Sequence, residues 1–473
     1  MTRYLPRFAA VAVAAVMAFA WTAPALAISV ARDTEIEEYL WSLERPIMEA
    51  AGIDYRAAHI YLVSDNAFNA FVSGGQNIFV TTGLIDRLET PNQLLGVLAH
   101  ETGHIAGGHL ARSSDDVTNE AAPFLITMLA GLAAMLAGEG QAGMGIILGA
   151  QQALQRAVLG YSRVQENSAD QAAISFLDRI QKSGRGMLET FEILSQQELL
   201  VDRRQDPYAR SHPLSRDRIS SLENRVEASP YKDNVDTAEE IAYYKLIQAK
   251  IRGFMNNPQT TLRQYPGNDL SDPARYARAV AYYRTPDFPS ANREIDALIA
   301  AHPENPYFWE LKGQIVAEQR DFAGAARAFE KSVKLKPDAP LLQVNLGATL
   351  VALEDQKLMP KARDVLVDAL RRDNTNAFAW LQLSFCYAAL GDEGMASLSM
   401  AEQRFNTGRY DDAIRFAMRA RQMLPAGSRE AGRADDIVVI AETQTAKSGK
   451  RGRSGGFTFS TNADTTDTHT HTR

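Results

Sequence analysis

Cysteine is almost missing from this 473-residue chain: Cys386 stands alone, so no disulfide framework can hold the fold. A basic excess is missing as well. Lys and Arg number 50 against 57 Asp and Glu, the net charge is −7, and the part expected to fold shows no basic cluster. Those two lacks exclude a disulfide scaffold and make nucleic acid no partner. Collagen-like or wholly disordered composition is also absent, since 45% of the residues are hydrophobic. What is there suffices for two or three domains with real cores.

Long apolar runs are few, and each carries meaning. Arg3 and Arg7 precede an apolar stretch from Phe8 to Ala20 and then Ala25-Leu26-Ala27, the pattern of a cleaved export signal over residues 1–27. A chain exported in this way needs no cysteine if its core suffices. Residues 121–138 are uncharged and nearly long enough to span a bilayer. Pro123, Gly131 and Gly138 favour instead a buried or membrane-touching helical lid, with peripheral membrane contact as the expectation. From Lys447 onward the chain is Ser/Thr/Gly-rich, a loose tail in which His469 and His471 make at most an adventitious metal pair.

Between these ends, Thr34 to Gly52 reads as a helix and 59–63 as a strand. Asn66 to Val72 and Ile78 to Thr82 flank a Gly-rich turn and read as a hairpin leading into a helix at 84–88. Thr90, Pro91 and Gln93 form a helix start with a capping box, and the helix is expected to run to about Ser113. Its glycines at 96, 103, 107 and 108 weaken it and signal close approach by another element. Further helices are expected over 162–180, 186–200 and 216–227, with 202–217 a polar surface loop broken by Pro207 and Pro213. Beyond a Pro/Asn/Gly-rich boundary at 256–273 the sequence repeats. Pro303 and Pro337 lie 34 residues apart, as do Gly313 and Gly347, and Trp309, Ala325 and Phe329 fill large and small positions between them. This resembles the tetratricopeptide repeat, and about four such units would stack into a short solenoid.

The chemistry lies in His100-Glu101-Thr102-Gly103-His104. Histidines four residues apart share one helix face, so both can reach one zinc ion, and Glu101 beside them can accept a proton from water. A hydrolytic zinc site wants a third protein ligand. On a continuing helix, His109 points away from the pair and reads as a supporting residue. Glu166 on the next long helix is the better candidate. Asp170, one turn on, can hold a ligand histidine by hydrogen bond. His212, read from its surroundings alone, is a surface-loop histidine.

Residues 60–220 resemble the M48 zinc metallopeptidases of the gluzincin group. The matching residues are Asn66-Ala67-Phe68, Gly83-Leu84-Ile85, His100-Glu101 with His104, Glu166 with Ala169-Asp170, and Ser211-His212-Pro213 followed by Arg218-Ile219. The resemblance implies that His100, His104 and Glu166 bind one zinc per chain, that Glu101 is the general base, and that Asp170 supports a ligand histidine. It further implies that His212 lies on an active-site loop, where it caps the metal or assists the reaction, and that Arg218 lies near the site.

The expected architecture is an α+β zincin-type peptidase domain, mostly helical with a small sheet, followed by an all-α repeat solenoid. The expected boundaries are 1–27 signal, 28–230 peptidase, 231–271 helical linker, 272–445 repeats and 446–473 tail. The expected function is an exported, periplasmic zinc endopeptidase acting on envelope or outer-membrane proteins. Its repeats would recruit protein substrates or outer-membrane assembly machinery. The competing expectation is a repeat-based chaperone or scaffold whose peptidase site is latched or idle.

Overall fold

Four short strands make one mixed sheet in the computed structural model, which describes residues 29–109, 163–195 and 206–454. The expected signal (1–27), the apolar stretch 121–138 and the histidines at 469 and 471 lie outside the described residues. β1 (Ser29–Ala31) runs antiparallel to β2 (His59–Ser64), which is parallel to β4 (Asn77–Thr81), and β3 (Ala70–Ser73) pairs antiparallel with β4. The order is therefore β1-β2-β4-β3, with β3 at an edge. The hairpin expected from sequence is β3–β4, although its first strand starts at Ala70 rather than Asn66. One sheet face carries an aromatic ladder, with Phe71 on Phe79 at 4.9 Å and Phe79 on Tyr61 at 5.0 Å. The other face sends Ile60, Leu62, Val72, Ile78 and Val80 into the core of the first domain.

α1 (Thr34–Ala51) is capped by the Asp33 side chain and ends at Gly52 in the left-handed conformation. α2 (Thr82–Arg87) follows β4 directly and is capped by Thr81. α3 (Pro91–Ala106) is the central rod, with every residue from Pro91 to His104 buried. Thr90 caps it as expected, but the Gln93 side chain accepts from the backbone N–H of Glu89, one residue before the cap. The helix stops at Ala106, short of Ser113, and Gly108 takes a left-handed φ of 60° that turns the chain back.

α4 (Arg163–Arg179) and α5 (Arg185–Ser195) pack on α3 at its glycines. A Cβ at Gly103 would lie 2.7 Å from the Ala169 carbonyl oxygen, and one at Gly96 2.9 Å from Met187. The 202–217 segment differs from the expected surface loop. Within it the short helix α6 (Pro207–Ser211) precedes α7 (Arg216–Ala228), and Tyr208, Ser211 and His212 are buried. One helical turn is too short to show a periodicity, so its polar sequence reads as loop.

α8 (Ala238–Met255) spans much of the expected linker but is buried like a core helix. Tyr244, Ile247 and Ile251 join the core of the first domain, and Leu246 joins the core of the first repeat. After α9 (Pro258–Gln264) come five antiparallel helix pairs. These are α10 (Asp272–Arg284) with α11 (Phe288–Ala301), α12 (Pro306–Glu318) with α13 (Phe322–Leu335), and α14 (Pro340–Ala352) with α15 (Met359–Arg372). The last two are α16 (Ala377–Ala389) with α17 (Glu393–Asn406), and α18 (Tyr410–Met423) with α19 (Arg429–Ser454). The repeated small positions have a packing cause: Gly313 lies against the Phe329 ring and Gly347 against Leu366. Cys386 is buried in α16, and burial pushes its thiol up to about 12, so it packs as a small apolar side chain. α19 runs to Ser454, so the segment expected as a loose tail from 446 begins as helix.

The first turn of α1 meets the repeats. Glu35 accepts from the Tyr276 hydroxyl at 2.8 Å and pairs with Lys250 at 3.0 Å, while Lys250 also meets Asp33 at 2.8 Å. Glu38 accepts from the Tyr307 hydroxyl at 2.7 Å and pairs with Lys336 at 3.1 Å. Arg32 reaches Asp373 at 3.1 Å.

Candidate metal centre

Three elements bring their side chains to one buried point. α3 carries His100, Glu101 and His104, α4 carries Glu166 and Asp170, and the α6–α7 segment carries His212 and Arg218. Ligand atoms of His100, His104, Glu166 and His212 all lie within 4.8 Å of one another, and all four residues are buried. The Nε2 atoms of His100 and His104 are 3.0 Å apart, and each lies 3.4 Å from a Glu166 oxygen. Donors about 2.0–2.1 Å from a tetrahedral zinc are separated by about 3.3 Å, so this set has the size and chemistry the ion requires.

His212 enters the same cluster. Its Nδ1 is 3.2 Å from His100 Nε2 and 3.2 Å from both Glu166 oxygens, and its Nε2 is 3.5 Å from Glu101. The Tyr208 ring packs against it, tilted, at 4.5 Å, and the His212 backbone N–H donates to the Tyr208 carbonyl. Tyr208 is a site residue that sequence reasoning missed, because one tyrosine after Pro207 in a polar stretch forms no pattern.

Behind the histidines a second layer holds them. Asp170 Oδ1 is 2.9 Å from His100 Nδ1, which turns the Nε2 of His100 toward the cluster. Arg218 clamps Asp170 with Nε at 2.7 Å and Nη2 at 2.9 Å, and its Nη1 meets Glu166 at 3.0 Å. One buried guanidinium thus faces two buried carboxylates, a bidentate use to which arginine is suited. His109, expected to point away on a continuing helix, instead comes back through the turn at Gly108. Its Nδ1 lies 2.9 Å from the Nδ1 of His104, on the ring edge opposite the cluster.

The electrostatics follow from burial and these pairs. Burial disfavours a charged His100, but its hydrogen bonds to Asp170 and Glu166 outweigh that and lift it to about 10. Burial and the positive ring of His100 depress His104. Burial alone would raise Glu166, yet His212 and His100 hold it well below the usual carboxylate range. Glu101 is raised, chiefly by burial, which makes it a better proton acceptor than a solvated glutamate.

Residues 31–226 match the family model described as Peptidase family M48, and residues 297–398 match that of the cytochrome c-type biogenesis protein H TPR domain. The beta-barrel assembly-enhancing protease of Escherichia coli (strain K12) is 25% identical over 415 residues, covering 85% of this chain and 82% of that protein. The protein of that name from Yersinia pestis is 25% identical over 410 residues, with the same coverage of 85% and 82%. Metalloprotease YcaL of Escherichia coli (strain K12) is 32% identical over 168 residues, which are 35% of this chain and 61% of YcaL.

Proposed function

We propose that this chain, whose residues 31–226 are an M48-type metallopeptidase domain, is an exported zinc endopeptidase acting on envelope proteins, with its repeats as the recruiting arm. The observation that carries this reading is the convergence of His100, His104 and Glu166 on one buried point beside Glu101. These three residues would hold one zinc ion, which supplies Lewis-acid polarisation of a peptide carbonyl and a more acidic water. Glu101 accepts the proton of the attacking water and passes it to the leaving amine nitrogen as the C–N bond breaks. Asp170 fixes the tautomer and orientation of His100, and Arg218 helps to keep Asp170 ionised and pairs with Glu166. The edge strand β3 offers backbone groups on which a substrate chain can lie as an added strand. Export to the periplasm, outer-membrane protein substrates and an assembly-machinery partner for the repeats complete the proposal. The similarity to beta-barrel assembly-enhancing proteases over most of the chain supports it.

Glu101→Gln tests the chemistry. We expect an unfolded protein substrate to be cleaved about 10²–10⁴-fold more slowly while metal content stays at one per chain. Unchanged cleavage would remove Glu101 from its role. Glu166→Ala should abolish tight metal binding, and undiminished affinity would reopen the third ligand.

The place of His212 inside the ligand cluster favours a second reading, a scaffold whose site is latched. Wild-type protein that supports envelope assembly in cells yet cleaves no unfolded substrate under any condition would establish it.

A further inference from the structure

α1 turns an apolar stripe to the core at Ile36, Leu40, Ile47 and Met48, and the stripe is interrupted by Glu44. Helical spacing asks for leucine or methionine at that position, four residues after Leu40 and three before Ile47. A glutamate with no exposed surface there is costly unless its oxygens find donors. One does: Oε1 accepts from the Thr102 hydroxyl at 2.5 Å. The other, Oε2, has no partner among the described residues. Burial pushes the Glu44 carboxyl well above the usual carboxylate range, against the pull of the Thr102 hydrogen bond, and the nearby Glu101 carboxyl adds to the upward effect. Thr102, also fully buried, is the residue after Glu101 on α3.

The other end of the same helix is held by the repeats together with Lys250 of α8. Tyr276 and Lys250 hold Glu35, and Tyr307 and Lys336 hold Glu38. From Glu35 to Glu44 is nine residues, about 13–14 Å along the axis. A hydrogen-bonded helix shifts or turns as a unit, and in a close-packed interior such a shift passes to whatever it touches. Burying an acid where a leucine would fit gains nothing for packing. It does give α1 a directional hold on α3 at the residue beside Glu101.

We propose that Glu44 is a positioning residue for Glu101, acting through Thr102, and that α1 is the rod by which the repeats set that position. A protein bound on the repeats that shifts their hold on Glu35 and Glu38 would thereby change turnover without touching the peptidase site. The inference rests on Glu101 being the base, as proposed above.

The test is kcat and KM for a short fluorogenic peptide, measured on the full mature chain with metal content checked for each variant. Glu44→Gln keeps the acceptor oxygen and should stay within about twofold of wild type in kcat. Glu44→Met removes it and should lower kcat by about tenfold to a hundredfold at unchanged KM and full metal content. Tyr307→Phe, which removes one of the two holds on Glu38 and leaves Lys336, should lower kcat severalfold in the wild-type background and have no effect on top of Glu44→Met. If Glu44→Met does not fold, Thr102→Val deletes the same hydrogen bond and takes its place. Equal effects of the Gln and Met substitutions, wild-type kcat in Glu44→Met, no effect of Tyr307→Phe, or independent effects in the double variant would each overturn the proposal. Any of these leaves the base role of Glu101 standing. Wild-type cleavage by Glu101→Gln would instead remove that role.

Discussion

Nδ1 of His212 lies 3.2 Å from each carboxylate oxygen of Glu166. The imidazole is therefore a fourth donor in a cluster where a hydrolytic zinc site keeps one position open. His212→Ala is expected to raise cleavage of an unfolded substrate severalfold at saturating zinc and to weaken metal binding by about tenfold or more. Cleavage at fixed free zinc, with affinity from chelator competition, measures both. Slower cleavage at unchanged affinity would make His212 an aid to the reaction instead of its cap.

Gly103→Ala sets two effects against each other. Helix propensity favours alanine by about 1 kcal/mol. The added methyl, however, would sit 2.7 Å from the Ala169 carbonyl oxygen and 3.0 Å from its Cα, backbone atoms that cannot rotate away. Overpacking of this kind costs about 1–3 kcal/mol, so the clash should win. It should also push α4 outward and carry Glu166 from the histidines. Calorimetry and metal analysis should find a lower Tm and reduced zinc content. Wild-type values for both would mean that the two helices part freely.

Asp206 ties the His212 segment to the start of the hairpin. Arg87 grips its carboxylate at 2.9 and 3.1 Å and stacks over the Phe68 ring at 5.2 Å, and the Phe68 carbonyl accepts from the Tyr208 N–H at 3.3 Å. A pair this exposed adds at most about 1 kcal/mol, enough to hold a short helix but not a domain. Arg87→Ala should leave Tm nearly unchanged while speeding hydrogen exchange over 206–212 and shifting cleavage in the same direction as His212→Ala. Unaltered exchange there would show that α6 is held by its packing alone.

Glu310 is buried with Asp33, Glu35 and Lys250. Burial lifts its carboxyl from 4.5 to about 8, against the pull of Lys250. A folded pKa above the unfolded one means that the folded state holds a proton the unfolded state has lost. Stability therefore falls as pH rises from 4.5 to about 8 and levels off above. Glu310→Gln keeps the acceptor for Asn345, now bonded at 2.9 Å, and removes this dependence. Its Tm should match wild type near pH 4.5 and exceed it at pH 8.5. A difference that does not vary with pH would count against the assignment.

The residues that could be read from sequence are those whose role is local. Thr90 and Pro91 start a helix wherever they occur before such a run, and His100 and His104 share a face because the helix is regular. Gly313 and Gly347 show their small positions through spacing, and contact with Phe329 and Leu366 explains the need. What could not be read is tertiary. His212 and Tyr208 sit in a polar stretch whose burial is decided by Phe68 and by α3 and α4, distant in sequence. Glu35, Glu44 and Lys250 look like solvated helix charges, because nothing local marks the partners that bury them. His109 points away only on a helix that continues, and a single left-handed glycine after the end of α3 reverses that.

The grip of Tyr276 on Glu35 joins residues 241 positions apart, and that of Arg32 on Asp373 joins residues 341 apart. Contacts so distant close late, after the loop entropy between them has been overcome. In a chain made from its amino terminus, α1 is among the first helices to emerge, yet its buried acid has no complete set of partners until the repeats have followed. A nascent chain shorter than about 310 residues would hold Glu35 and Glu38 without Tyr307 and, below 276, without Tyr276. Order of synthesis thus becomes order of assembly, and the first domain is finished only once the repeats exist.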